Sequence, residues 1–424
     1  MPNFTDLSPD LAVRYLRQET DLFRPETPLH VHEIDHVEGE GFVNHLYKVW
    51  DDGGRAVIVK QAKPYFSFFG PDADMPITVS RNRIEADAYR LRSLIVPQYI
   101  LPLIKIDPGN NLFVQECWHR PTLRSQFRAG LLFPHFPAMI GQYIARSAFY
   151  TSELYLDQSE HQELGSAFNN VGMRRVLEDV LFSFQSIHRP DQLELYFATH
   201  HDFVPALLAD DDFMVGVLEL RDAYLKRNDC LVHGDLHTSN IMIDQDRMAV
   251  FDMEYAHLGS YSTDLGYLMG NLIFPYIAML FHHQDWPAQR RQDFRRTVLG
   301  YAVEIMDCFL AEFEACWRRD AKPLYRDRIG YLPRLMDQLV PDVAGLMALQ
   351  SMNRAFYPGA AQDYELIPDG PELEQARALT VLVGLALVKG RRGLRTMADV
   401  VDLIERTVGL YEARALSGRG SLQL

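Results

Sequence analysis

The sequence has few cysteines and no excess of basic residues. Its four cysteines show no CxxC or other metal-ligand spacing, which argues against a zinc site and favours reduced thiols in a cytosolic protein. Aspartate and glutamate number 57 against 42 lysines and arginines, so the formal charge of the 424 residues is -15. A protein that binds nucleic acid would instead carry a net basic face. We therefore expect no nucleic-acid partner.

The chain also lacks a long apolar run. The most apolar stretch, residues 267–281, contains Gly270, Asn271 and Pro275. It is shorter than the roughly 20 residues that span a bilayer, so it predicts a buried helix and no membrane association. The first ten residues hold two acids and no apolar core, which is unlike a signal peptide.

Two regions of different character follow one another along the chain. In the first, residues 11–18 and 81–93 have helical spacing, and the β-rich runs 42–50, 56–61 and 112–115 predict strands. The turn Asp51-Asp52-Gly53-Gly54 joins the first two strands. From about residue 134 long amphipathic helices dominate, over 139–154, 173–186 and 291–317, interrupted by short strands at 241–243 and 248–251. We predict an α+β protein with a small sheet-bearing lobe, residues 1–118, and a larger helical lobe, residues 119–424.

One polar constellation in the second region carries recognisable chemistry. Asp235 and Asn240 lie in a polar loop after an apolar run, and they follow His233 in the pattern H-x-D-x-x-x-x-N. Asp252 closes a predicted strand, and Glu254 comes two residues later. A lone aspartate is more often a turn or capping residue, but four such groups at this spacing are typical of phosphoryl transfer. We predict that Asp235 orients an acceptor hydroxyl and takes its proton. The oxygens of Asn240, Asp252 and Glu254 would then hold Mg²⁺ against the phosphates of ATP.

A nucleotide site is predicted in the first region. Gly39, Gly41 and Asn44 precede a strand pair that ends in Lys60, as a loop that covers phosphates would. A lone G-x-G is equally often a plain turn, and a lysine at a strand end is often a surface residue. Glu85 lies on the next predicted helix, where an ion pair would fix Lys60 on the α- and β-phosphates.

A strand leads from this helix to a predicted hinge. Gln115, Glu116 and Cys117 end the strand, and we expect the backbone at Glu116 and Cys117 to hydrogen-bond adenine.

Three further polar residues have more than one interpretation. Asp264 precedes an apolar helix and is either its N-cap or a brace for the catalytic loop. His237 and His257 are interpreted as structural, because the proposed chemistry uses carboxylates.

Taken in order, these motifs resemble the 5-methylthioribose kinase family of the aminoglycoside phosphotransferase and choline kinase superfamily. The resemblance covers residues 39–44, 58–65, 81–85, 151–154, 231–240 and 252–266, and the D-x-E pattern at Asp252 is its most characteristic part. It implies a bilobal, protein-kinase-like fold with ATP bound in the first lobe and Mg²⁺ as cofactor. It also implies transfer of phosphate to the anomeric hydroxyl of S-methyl-5-thioribose in methionine salvage, by a cytoplasmic homodimer.

The acceptor half of the pattern departs from that family. The family's tandem arginine on a late helix falls here on Gln350 and Ser351. Arg354 lies one helical turn further on, and Arg391 and Arg392 lie in a glycine-flanked loop, so these three are the candidate substrate residues. From the resemblance as a whole, we expect the small-molecule acceptor to be methylthioribose or another ribose-like sugar. An amino alcohol or aminoglycoside is the alternative, and a non-catalytic nucleotide-binding fold is a third hypothesis.

Overall fold

A five-stranded antiparallel sheet forms the first part of the molecule. A computed structural model describes residues 4–34, 43–67, 70–71, 77–182, 203–356 and 362–416. The strand order in the sheet is β1-β2-β3-β5-β4. Two helices accompany the sheet, and the elements are α1 (Pro9–Glu19), β1 (Leu29–Ile34), β2 (His45–Asp51), β3 (Ala56–Gln61), α2 (Arg81–Ile95), β4 (Leu103–Asp107) and β5 (Leu112–Glu116).

One face of the sheet is apolar because successive side chains along each strand point to opposite faces, and apolar residues occupy every second position. The buried side chains on this face include Val49 on β2 and Val57 and Val59 on β3. These side chains pack with Tyr15 and Leu16 of α1 in a separate small core. Helix α1 therefore covers one face of the sheet.

The rest of the described chain is mainly helical and surrounds one large core. Its strands are short and form two pairs, β6 with β9 and β7 with β8. The elements are α3 (Leu123–Arg128), α4 (Phe136–Tyr150), α5 (Gln158–Ala167), α6 (Val171–Leu181), α7 (Phe203–Ala209), α8 (Asp211–Lys226), β6 (Cys230–Val232), β7 (Ile241–Ile243), β8 (Met248–Val250), β9 (His257–Gly259), α9 (Ser262–Ala278), α10 (Ala288–Asp320), α11 (Pro323–Arg326), α12 (Tyr331–Met336), α13 (Leu339–Phe356), α14 (Pro371–Gly390) and α15 (Met397–Leu416).

Helix α9 is the centre of this part. All 17 of its residues are buried, and it packs against α10 and α13. Two glycines allow the close approach to α13, because a Cβ on Gly266 would lie 2.4 Å from Leu346 Cβ and one on Gly270 would lie 2.9 Å from the carbonyl oxygen of Met347. The buried helix predicted over 267–281 thus starts earlier, at Ser262. Among the helices that the structure describes, none is both long and apolar enough to cross a membrane.

The predicted α+β class is confirmed, with some errors in its elements. The predicted helix 291–317 lies within α10, whereas 139–154 begins and ends a few residues late relative to α4. The end of the predicted helix 173–186 and the start of the predicted strand 42–50 lie outside the described residues.

Sequence analysis does not predict β1 or β4. Both are edge strands of the sheet and retain polar, partly exposed residues, which weakens the β signal. Strand β5 ends at Glu116 and α3 begins at Leu123, and the division of the chain at residue 118 remains a prediction.

Candidate active site

Asp235 lies in a loop after β6 that is held by the start of α9. The carboxylate of Asp264 accepts the backbone N–H groups of His233 at 2.8 Å and Gly234 at 3.0 Å. Gly234 has φ +86°, and a Cβ there would lie 2.5 Å from the carbonyl oxygen of Tyr255, so only glycine fits. Of the two interpretations of Asp264, the structure supports the brace, since the side chain bonds the loop rather than capping its own helix.

The Asp235 loop and the strand that leads to Asp252 form one hydrogen-bonded unit. A ring nitrogen of His233, Nε2, donates to the carbonyl oxygen of Phe251 at 2.9 Å. Asn240 Nδ2 donates to the carbonyl oxygen of Asp235 at 2.9 Å, and the Phe251 N–H donates to the carbonyl oxygen of Asn240 at 3.1 Å. The two halves of the predicted constellation are thus fixed relative to each other through backbone atoms.

Two side chains keep Asp235 ionised. His237 Nε2 lies 3.3 Å from one carboxylate oxygen, and Arg354 Nη2 lies 3.3 Å from the other. Burial opposes the charge, but the hydrogen bond from His237 and the positive charge of Arg354 outweigh it and hold the pKa of Asp235 well below its usual range. Burial also lowers the pKa of His237 to about 4, so the imidazole is neutral at pH 7 and Arg354 supplies the positive charge. Asp235 is therefore a weak base that is ionised at neutral pH.

A stripe of three residues on α2 faces the metal-binding segment predicted from the sequence. Arg81, Glu85 and Tyr89 are spaced by four residues and therefore lie on one side of the helix. Glu85 pairs with Lys60 Nζ at 2.8 Å, and Lys60 also bonds the carboxylate of Asp252. The Tyr89 hydroxyl accepts the backbone N–H of Asp252 at 3.0 Å, where the chain takes the unusual φ of +65°. The Lys60–Glu85 contact predicted from the sequence is present.

The first residue of that stripe holds Glu254. Arg81 Nε donates to Glu254 Oε2 at 3.0 Å, and Asn44 Nδ2 donates to the same oxygen at 2.7 Å. Arg81 is fully buried and also donates to the carbonyl oxygens of Val43, Lys63 and Thr78. Sequence reasoning gave Arg81 and Tyr89 no role. The available signal was their spacing of four residues on either side of Glu85.

The carboxylates of Glu85, Asp252 and Glu254 form an acidic group whose ligand oxygens lie within 4.8 Å of one another. Burial raises the pKa of Glu85 to about 8 and also raises the pKa of Glu254, while repulsion from Asp252 adds to both shifts and Lys60 opposes them. Hard divalent cations such as Mg²⁺ prefer such oxygens, so these residues fit a metal. The side chain of Asn240, a predicted ligand, bonds the Asp235 carbonyl oxygen, and its metal role remains a prediction.

The remaining nucleotide residues are only partly described. Gly39 and Gly41 lie outside the described residues. At the predicted hinge the Glu116 N–H donates to the carbonyl oxygen of Pro102, and the Cys117 N–H donates to that of Ala56. The Gln115 side chain bonds the carbonyl oxygen of Leu101 at 3.0 Å. Both hinge N–H groups are thus used within the fold, and adenine binding there remains a prediction.

The three candidate substrate arginines separate into two groups. Arg354 contacts Asp235, as described above. Arg391 Nη2 pairs with Glu219 at 2.6 Å, and Arg392 bonds the same carboxylate. Of the three, only Arg354 has an ion pair with the Asp235 loop among the described residues.

Comparison with known proteins finds a similarity that includes the second half of this site. Residues 156–304 match the phosphotransferase enzyme family. The matched residues include Asp235, Asn240, Asp252 and Glu254, to which sequence analysis assigns the chemistry.

The similarity to individual relatives extends over nearly the whole chain. A methylthioribose kinase from Pectobacterium atrosepticum is 29% identical over 414 residues, covering 96% of this chain and 98% of the relative. One from Geobacillus sp. (strain WCH70) is 27% identical over 390 residues, covering 91% and 92%. The resemblance predicted from the motifs is confirmed. A solved choline kinase from Cryptosporidium parvum is similar with a TM-score of 0.46 at 13% identity, covering 90% of this chain and 99% of that one.

Proposed function

We propose that the protein is an ATP-dependent sugar kinase that phosphorylates the anomeric hydroxyl of S-methyl-5-thioribose or of a related ribose-like sugar. One observation carries the proposal. Hydrogen bonds join the ionised Asp235 loop to the segment that carries Asp252 and Glu254, and Lys60 pairs with both Asp252 and Glu85 beside them. The similarity to methylthioribose kinases supports the choice of acceptor.

The proposed reaction is direct transfer of the γ-phosphoryl group. The acceptor hydroxyl oxygen forms a bond to the γ-phosphorus as the bond to the ADP oxygen breaks, and the hydroxyl proton passes to a carboxylate oxygen of Asp235. Positioning and charge stabilisation supply most of the catalysis in such reactions. A weak base such as Asp235 suits this role, because it holds the hydroxyl in line and takes the proton late.

The lysine and the carboxylates have separate tasks. Lys60, fixed by Glu85, would contact the α- and β-phosphates of ATP. Asp252 and Glu254 would hold Mg²⁺, which neutralises phosphate charge when bound. Asn44 and Arg81 keep the Glu254 carboxylate in place. The homodimer and the cytoplasmic location implied by the resemblance remain predictions.

The first test is an acceptor panel. ADP release with Mg·ATP should be measured against methylthioribose, ribose, other pentoses and choline, with Asp235→Asn as the blank. We expect turnover on methylthioribose or a closely related sugar. Turnover on choline alone would make the protein an amino-alcohol kinase, and none with any acceptor would favour the non-catalytic hypothesis.

A pair of variants tests the division of roles. Asp235→Asn should lower kcat by about 10²–10⁴-fold and leave ATP affinity nearly unchanged, because the group acts on the acceptor. Asp252→Ala should instead abolish the binding of Mg·ATP in a nucleotide titration. Equal behaviour of the two variants in that titration would contradict the assignment.

A further inference from the structure

The last turn of α2 carries a buried arginine that has no role in the reaction described above. Arg92 is 1% exposed, and its Nη2 donates to the carbonyl oxygen of Leu231 at 3.3 Å. Its Nε and Nη1 have no hydrogen-bond partner among the described residues, so no carboxylate among them bonds this group. A guanidinium group keeps its charge inside a protein, and burying a charge without a direct partner is unfavourable. Stability alone therefore does not account for Arg92.

Arg92 contacts the strand that leads into the Asp235 loop. Leu231 is the second residue of β6, and its backbone is held from two sides. Its N–H donates to Thr151 Oγ1 at 2.9 Å, and its carbonyl oxygen accepts the bond from Arg92. The guanidinium carbon of Arg92 also lies 5.3 Å from the centroid of the Tyr143 ring on α4, within the range of a cation–π contact. Arg92 thus joins α2 to α4 and β6 at the entrance to the loop.

The charge of Arg92 is opposite to that of Asp264, the brace of the same loop. Burial lowers the pKa of His233, the charge of Asp264 opposes this shift, and the charge of Arg92 adds to it. Burial raises the pKa of Tyr143, and there Arg92 opposes the shift while Asp264 adds to it. The two charges thus act on the same groups with opposite sign, and inside the protein they attract each other strongly. Arg92 and Asp264 therefore hold successive parts of the loop entrance.

Arg92 also extends the stripe of α2 that holds the other half of the site. It follows Tyr89 by three residues and therefore lies on the same side of the helix. Glu85 of this stripe pairs with Lys60, and the Tyr89 hydroxyl bonds the backbone of Asp252. One helix thus contacts both the metal-binding segment and the strand that precedes the catalytic base.

We propose that Arg92 is a positioning residue that couples α2 to the Asp235 loop and so aligns the base with the nucleotide half of the site. This inference rests on the proposed kinase function. Arg92 acts through Leu231, whose backbone it fixes, and through Asp264, whose carboxylate its charge stabilises. That carboxylate accepts the N–H groups of the loop. Without Arg92 the loop would lose part of its support, and a small displacement of Asp235 is enough to slow phosphoryl transfer.

The first readout is the division of the effect between kcat and KM. Arg92→Met keeps apolar packing and removes the charge and the hydrogen bond. With the best acceptor from the panel above, we expect kcat to fall by about 10- to 100-fold. The KM for Mg·ATP should stay within about twofold, because Lys60 and the metal-binding carboxylates keep their partners. Arg92→Lys keeps the charge on a smaller group, so its kcat should fall between those of Arg92→Met and the unchanged protein.

The second readout is amide hydrogen exchange, which does not depend on turnover. The N–H groups of His233 and Gly234 bond the Asp264 carboxylate. In full-length Arg92→Met, exchange over residues 231–240 should become about tenfold faster, because these bonds open more often. Exchange over residues 45–61 of the sheet should not change, which separates a local effect from general destabilisation.

A matched control removes an arginine with the same kinds of contact elsewhere. Arg295 on α10 donates from Nε to the carbonyl oxygen of Tyr276 at 3.2 Å, and its guanidinium carbon lies 4.6 Å from the centroid of that tyrosine ring. Arg295→Met should leave kcat and the exchange of residues 231–240 unchanged.

Three outcomes would overturn the inference. They are an unchanged kcat or an unchanged exchange over residues 231–240 in Arg92→Met, an equal loss in Arg295→Met, and a kcat of Arg92→Lys no higher than that of Arg92→Met. If the unchanged protein shows no turnover with any acceptor, faster exchange in Arg92→Met would still support the coupling by Arg92. The absence of turnover would then contradict the proposed function instead.

Discussion

The Tyr89 hydroxyl accepts the backbone N–H of Asp252, whose backbone conformation is left-handed, and Tyr89→Phe removes only this hydroxyl. Tyr89→Phe would leave this N–H without a partner, at a cost of about 1–3 kcal/mol. We expect the affinity for Mg·ATP to fall by about 3- to 30-fold, because Asp252 loses its support. Nucleotide titration and thermal unfolding measure the two effects.

The control for this variant is another buried tyrosine. The Tyr224 hydroxyl has no hydrogen-bond partner among the residues described, so Tyr224→Phe removes an oxygen and no bond. It should leave nucleotide affinity unchanged. An equal loss in both variants would show that Tyr89 only fills space.

At the scale of residues, a local sequence pattern could predict some members of the site but not others. Asp235, Asn240, Asp252 and Glu254 fall within 20 positions, so their spacing is a local signal. Arg81 and Glu254 are 173 positions apart, and no local pattern joins them. Such pairs arise only when helices pack, which depends on side-chain fit across the whole core.

At the scale of elements, the seam between α9 and α13 sets the position of Arg354. Gly266→Ala would place a methyl group 2.4 Å from Leu346 Cβ, so α13 must shift or the core must strain. We expect a loss of about 1–3 kcal/mol in the free energy of unfolding, together with a fall in kcat. Chemical unfolding and turnover measure these changes.

Helix α10 offers the matched substitution. A Cβ on Gly300 would meet nothing within 4 Å, so Gly300→Ala should stabilise the protein by about 0.5–1 kcal/mol through helix propensity alone. Turnover should not change. If Gly266→Ala also stabilised the protein and left turnover unchanged, the close packing of α9 against α13 would not determine stability or activity.

Elements with strong periodicity were predictable, and those at edges were not. The apolar run around α9 and the amphipathic pattern of α10 show clear signals, because burial on one side or on all sides dictates composition. Strands β1 and β4 lie at the edges of the sheet and contain polar residues, so their own sequences carry a weak β signal. Their pairing with β2 and β5 becomes evident only in the structure. The ends of several predicted helices differ from the observed ends by a few residues, since helix ends depend on caps and tertiary contacts.

At the scale of the whole molecule, buried histidines make stability depend on pH. Burial lowers the pKa of His257 to about 4, although the carbonyl oxygen of Tyr255, 2.9 Å from Nδ1, partly opposes this. In the unfolded chain the pKa is about 6.5, so between pH 6.5 and 4 only the unfolded chain binds the proton. The stability is present above pH 6.5 and is lost as the pH falls towards 4.

His257→Gln should make this dependence shallower. We expect the free energy of unfolding to change by about 2 kcal/mol less between pH 7.5 and 5 than in the unchanged protein. Urea unfolding at the two pH values measures it. Above pH 7 the variant should show only a constant deficit, and an unaltered pH dependence would contradict the assignment of His257 as a neutral buried group.

Helix α9 braces the Asp235 loop through Asp264 and, two turns later, holds Arg124 through Asn271. Arg354, the candidate substrate residue that contacts Asp235, lies on α13 instead. We therefore expect that substitutions on α13 can change the acceptor preference while α9 keeps its sequence. A series of related enzymes could in this way retain one phosphoryl-transfer site and act on different hydroxylated molecules.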